Sequence, residues 1–246
     1  MVTNGLESAV ENTYPTSLPV GWEKEALRNR ETVGRFWDDP KITWEHVRTT
    51  NQVVVHRTYP ESSVTHQTEG HVFKGETLIS ADMETACLLL HTSLPYRLKW
   101  DLHAKQINIL EQMNENFQIV QHIVKPQWMG LISARDTIDL LECSTLSPAR
   151  KVIILSSINY SKAPTPRSGV VRAWTNPSGV RLDRTEDPKT TKVTLIFHVQ
   201  LNLPKIVPHS FAEHAYPGEI VSFLGDLQKA TATVSIPDKP HMPGWS

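Results

Sequence analysis

Apolar positions recur at helical spacing in the stretch Trp22 to Trp37, where Ala26, Val33 and Trp37 fall on one side and "DDP" stops the run. This predicts an amphipathic first helix. The segments "TWEHVRTT" and "QVVVHRTYP" are short and rich in β-branched residues, which predicts strands, and "THQTEGHVFKG" supplies a third. The pattern then changes. In "SADMETACLLLHTSLP" Ser80 is the expected N-cap, Asp82 and Glu84 sit in the first turn where they favour the helix dipole, and Pro95 is the stop. A second, well-buried helix is expected there.

Six strand-like runs follow: "QINILEQM", "FQIVQHIV", "WMGLISARDTIDLLE", "KVIILSSINY", "SGVVRAW" and "KVTLIFHVQLNL". Their connections "NEN", "APTPRSG", "NPSG" and "RTEDPKTT" are short and turn-rich, which predicts an antiparallel meander and not βαβ units. In "EIVSFLGDLQKATA", Ile220, Phe223, Leu224 and Leu227 stand at i, i+3, i+4 and i+7, the stripe of a one-sided closing helix. Pro217 and Gly218 are expected to kink or restart that helix. The fold class is therefore α+β, a curved antiparallel sheet with a terminal helix across one face. Residues 1–20 read as a polar leader, 21–235 as the folded domain and 236–246 as a Pro-rich tail.

The chain has 246 residues, long enough for a sizeable core. Its 25 Lys and Arg balance 26 Asp and Glu, so no basic field exists to hold a nucleic acid. Only two cysteines are present, Cys87 and Cys143, and both read as core thiols, not as a disulfide framework or a zinc site. The N-terminus lacks the charged start and apolar stretch of a secretory signal, and no apolar run is long enough to span a bilayer. The expectation is a soluble, cytoplasmic monomer.

A search for chemistry returns little. The 11 histidines form neither HExxH nor HxH, and His209 and His214 are five apart, off a common helix face. No metal is expected. "GHVFKGET" has the glycine spacing of a phosphate loop, but Glu76 stands where the lysine should be. Neither GxGxxG nor GxSxG occurs, and Ser156 and Ser157 lie in a β run without elbow glycines. Asp38 and Asp39 precede Pro40 and read as the end of a helix. No catalytic residue is assigned.

Four features in this order and spacing carry a resemblance: Trp100-Asp101, Arg135-Asp136, Gly169-Val-Val-Arg172, and Leu203-Pro204 before the last helix. Over about residues 22–232 the chain resembles the steroidogenic-acute-regulatory-protein-related lipid transfer (START) domain. That resemblance implies a helix-grip fold, in which a U-shaped antiparallel sheet and the C-terminal helix enclose a hydrophobic tunnel. It further implies carriage of one lipid between membranes through transient contact with their surfaces, with no cofactor beyond the bound lipid and no covalent step. The loop Ser161 to Gly169, with Pro164, Pro166, Arg167 and Ser168, is implied as the gate, together with the C-terminal helix.

Ligand classes left open are sterols, phospholipids, bile-acid-like steroids, fatty acyl lipids and carotenoids. Sterol-binding members carry a buried acid and a buried arginine in the tunnel, and the matching positions here are His122 and Leu141. Losing both charges is self-consistent, since one alone would be uncompensated. Asp139, two residues before Leu141 and so on the same strand face, can form a substitute pair with His122. Strand parity and the helix stripe give the expected tunnel set: Trp100, Val120, His122, Thr137, Asp139, Leu141, Phe211, Ile220, Phe223, Leu224 and Leu227. Two other readings are a lipid-gated sensor and an aromatase/cyclase-type enzyme on a related scaffold, the latter needing His122 and Asp139 as its acid and base. Arg135 and Asp136, adjacent on a strand, point to opposite faces, so at most one can meet a ligand.

Overall fold

Gly21, at φ 85°, starts α1 (Trp22–Asp38), which buries Ala26, Asn29, Thr32, Val33 and Phe36 and ends where the Asp39 N–H donates to the Arg35 carbonyl. The structure, a computed structural model, describes residues 21–59, 70–92, 94–127, 130–203 and 209–236, the side chains of 209–213 excepted. The expected leader, nearly all of the tail, the start of the third expected strand, Trp128 and Pro204 lie outside the described residues.

After α1, β1 (Glu45–Thr50) and β2 (Val53–Thr58) form a hairpin. Its two-residue turn holds Asn51 and Gln52 at φ 49° and 65°, the left-handed pair that matches the twist of the strands. β3 (Val72–Ile79) pairs with β2. "GHVFKGET" is thus strand and no phosphate loop. In α2 (Met83–Leu90) the cap is Asp82 and not Ser80: the Asp82 carboxylate accepts the Thr85 N–H at 2.7 Å. The helix ends at His91, ahead of Pro95. A short helix, α3 (Arg97–Trp100), leads into the main meander.

That meander comprises β4 (Ala104–Gln112), β5 (Phe117–Val124), β6 (Ala134–Ser147), β7 (Arg150–Ser157), β10 (Ser178–Arg184) and β11 (Thr191–Phe197). Three short strands, β8 (Val170–Arg172), β9 (Trp174–Thr175) and β12 (Val199–Gln200), lie beside it. The sheet order is β1-β2-β3-β11-β10-β7-β6-β5-β4, antiparallel along this path and not closed into a barrel. β8 runs parallel to β6, with Arg135 opposite Val171. The six-strand reading omits β10, whose "SGVRLDR" alternates charged with apolar residues between turn signals. Val180 and Leu182 face the core, while Arg181 bonds Asp183 and, at 2.6 Å, Asp38 of α1.

α4 (His209–Thr233) closes the domain and runs through Pro217 without the expected restart. Close packing on the sheet holds it there. Gly75 of β3 lies so near that a Cβ on it would meet Ile220 Cγ2 at 2.5 Å and Leu224 Cδ1 at 2.9 Å. One core lies between the concave sheet face, α2 and α4, and includes Leu88, Leu141, Leu182, Ile220, Leu224 and Leu227. Each such side chain contributes about 1.5–3 kcal/mol by leaving water. A second core, with Val33, Phe36, Val152, Ile154 and Ile196, seats α1 on the outer face. No helix among the described residues is long and apolar enough to cross a membrane.

Candidate functional site: an apolar cavity with paired polar groups

Alternation along β6 turns Thr137, Asp139 and Leu141 to the concave face, and the antiparallel register sets His122 of β5 opposite Thr137. Between this face and α4 lies a cavity of about 250 Å³. Its walls are mainly apolar: Leu141, Ile153, Leu155, Val180, Leu195 and Phe197 from the sheet, and Tyr216, Ile220 and Phe223 from α4.

A compact polar cluster around Asp139 is one of the places where polar groups interrupt that lining. Asp139, wholly buried, accepts three hydrogen bonds: from His122 Nδ1 at 3.0 Å and Thr137 Oγ1 at 2.6 Å on Oδ2, and from Ser157 Oγ at 2.8 Å on Oδ1. Ser157 Oγ in turn accepts the Thr175 N–H at 2.8 Å. The substitute pair expected from strand parity is therefore formed. Satisfying a carboxylate with several donors is what makes its complete burial tolerable.

Arg135 and Asp136 take different side-chain partners, yet both are among the residues that line the cavity, against the expectation that at most one would. Asp136 is buried beneath Arg172 of β8, whose Nε and Nη2 donate to its two oxygens at 2.8 and 3.0 Å, and Gln121 Nε2 adds a third bond at 2.8 Å. Among the described residues Arg135 bonds neutral acceptors, the carbonyls of Leu201 and Ser133 and the Ser133 hydroxyl. Burial lowers its pKa.

At the other end of the cavity, α3 and β4 meet α4. Arg97 donates to Asp101 at 2.6 Å and lies over the rings of Trp100 and Phe223, 5.1 and 4.8 Å from their centroids. Asp101 also accepts the His103 and Ala104 amides. Burial would raise its pKa, but Arg97 and these amides lower it overall. His103 Nδ1 faces Glu219 of α4 at 2.9 Å, and this bond raises the imidazole pKa against the opposing effect of burial. Tyr216, its hydroxyl donated to the Val199 carbonyl at 3.1 Å, has a pKa pushed up by burial.

Of the expected set, His122, Thr137, Asp139, Leu141, Ile220 and Phe223 line the cavity. Trp100, Val120, Leu224 and Leu227 do not; they are buried in the adjoining core, Trp100 with its indole N–H on the Leu89 carbonyl at 2.9 Å. The Phe211 side chain lies outside the described residues. Pro164, Pro166, Arg167 and Ser168 sit in the loop between β7 and β8, away from the cavity lining. Sequence reasoning missed Ser157, Thr175, His103 and Glu219. Ser157 alone carried a signal, a polar residue ending an apolar strand, but its contact with Asp139 depends on the β6–β7 register. Among the described residues no cluster could hold a metal ion, and both cysteines are free and buried.

A family model, the START domain, matches residues 40–233. StAR-related lipid transfer protein 4 of Homo sapiens is 23% identical over 209 residues, 83% of this chain and 95% of that protein. StAR-related lipid transfer protein 6 of Homo sapiens is 24% identical over 197 residues, 80% of this chain and 81% of the other. Among solved structures, human StAR-related lipid transfer protein 5 superimposes with a TM-score of 0.75 at 21% identity, covering 85% of this chain and 97% of its own. Human STARD10 gives 0.64 at 20% identity, covering 91% and 83%. These likenesses bear on the fold, and the sheet order and closing helix agree with them. By its sequence match over most of its length, the chain belongs to the START domain family.

Proposed function

We propose that this protein binds one lipid in the cavity beneath α4 and transfers it between membranes without covalent chemistry. The observation that carries the reading is the cavity itself: a mostly apolar lining whose polar groups are largely paired with one another, around Asp139 and around Asp101 and Glu219, suits a molecule that is mainly hydrocarbon with little polar surface. The names of the lipid transfer relatives support the same activity. The polar cluster suits binding better than catalysis, because Asp139 stands between Ser157 and His122, so the imidazole has no bond to the serine hydroxyl.

Lipid exchange requires an opening, and we assign it to α4 together with the loop Ser161 to Gly169. That loop is largely exposed, and the Pro164 carbonyl is tied to Arg172 Nη2 at 2.7 Å. We place the protein in the cytoplasm as a monomer that meets membrane surfaces transiently.

The test is mass spectrometry of an organic extract of the purified protein, paired with transfer of labelled lipid between vesicles. A lipid in one-to-one ratio and protein-dependent transfer are expected. Extracted lipid without transfer would replace carriage by sensing. Absence of both, across sterol, phospholipid and fatty acyl classes, would overturn the reading.

A further inference from the structure

The direction of the hydrogen bonds around Asp139 decides what this part of the cavity can offer a ligand. A carboxylate only accepts, so each of its three contacts fixes a proton on the partner. Thr137 spends its single hydroxyl hydrogen on Oδ2, and Ser157 spends its own on Oδ1. His122 must carry a proton on Nδ1, the nitrogen 3.0 Å from Oδ2. In the neutral ring Nε2 is then a bare lone pair, and it makes no hydrogen bond to any described residue. Thr137 Oγ1 likewise retains acceptor capacity, directly opposite His122 in the strand register. Both residues line the cavity.

From this we infer that His122 Nε2 and Thr137 Oγ1 form an acceptor-only subsite that selects a lipid ending in a hydroxyl group over one ending in a carbonyl or carboxylate. The inference rests on the lipid-binding reading above. A ligand O–H donates to Nε2. A ketone oxygen finds no hydrogen there, and a carboxylate is further repelled by Asp139. An analogue that covers these acceptors without supplying a donor takes them from water and leaves them unpaired, which is why such sites discriminate. Two kinds of lipid carry the required group, a ring alcohol such as a sterol and a long-chain alcohol, and the cluster's chemistry is shared by both.

The experiment uses full-length protein stripped of lipid and two matched series. Cholestanol is compared with cholestanone, and hexadecanol with hexadecanoic acid, by displacement of a fluorescent hydrophobic probe at neutral pH. At least one alcohol should bind about tenfold or more tightly than its partner, and the series in which this occurs distinguishes the ring from the chain source. In His122→Phe that preference should shrink to about twofold while cholestanone or hexadecanoic acid binds as before. Thr137→Val, nearly isosteric, should reduce it several-fold. Equal or tighter binding of the ketone and the acid in the wild type, or a preference untouched in a folded His122→Phe protein, would overturn the inference yet leave lipid binding standing. Failure of all four probes to bind, with no lipid in the organic extract, would remove the lipid-binding reading itself. The wild-type comparison remains decisive should either variant fail to fold.

Discussion

His103 and Glu219 join the entry of β4 to α4 across 2.9 Å, and Ser222, three residues further along the helix, lies 3.1 Å from the other ring nitrogen of the same histidine. One imidazole therefore fastens the helix that roofs the cavity.

This fastening depends on pH in a definite direction. Glu219 raises the His103 pKa above 6.5 in the folded protein, with Asp101 and Asp226 adding to it. Its stabilisation is complete below the unfolded value and is lost as pH climbs through the raised one. Hydrogen exchange of backbone amides in residues 220–227, corrected for the intrinsic rate, should be faster at pH 8 than at pH 6. About a quarter of each side chain is exposed, so the effect should stay below about 1 kcal/mol, roughly fivefold in rate. His103→Ala or Glu219→Gln should flatten the profile.

Gly75→Ala should displace α4. The added methyl would meet Ile220 Cγ2, a branched carbon close to the helix backbone with little freedom to retreat. A loss of about 1–3 kcal/mol in urea denaturation is expected, with exchange in α4 accelerated more than in β6. A mild effect equal in both elements would show that the helix is not seated on this glycine.

Arg172→Leu should leave Asp136 buried and uncompensated apart from Gln121. Arg172 is nearly one-third exposed, so we expect about 2–3 kcal/mol, short of the full range for a dry ion pair. The double variant Asp136→Leu/Arg172→Leu should recover most of the loss, because it removes both charges together.

Both thiols should be silent in the native protein. Burial raises the Cys87 pKa to about 12 and that of Cys143 as well. Reaction with a disulfide reagent at pH 8 should wait for unfolding and report two thiols per chain in denaturant.

How much of this was legible beforehand depended on the range of the interaction concerned. Strand alternation, a local property, placed His122, Thr137, Asp139 and Leu141 on one face; it gave Arg135 and Asp136 different partners but did not keep both from the cavity lining. The helix stripe was equally legible, but Leu224 and Leu227 are core and not cavity lining, Leu224 being seated against β3 where Gly75 lets the helix approach. Nothing near Leu224 in the chain announces that glycine. β10 was missed because its charges are satisfied from a distance, Arg181 reaching Asp38 of α1. His103 and Glu219 lie more than a hundred residues apart, and only the docked helix joins them.

The sheet that forms the cavity floor ends in two separate edges, β1 and β4, which do not pair with each other. A closed barrel has its bore dictated by strand number and stagger. An open trough has no such constraint: its curvature can relax or tighten while every ladder bond stays intact. Its internal width is consequently an elastic variable, set by the side chains that fill it and not by strand closure.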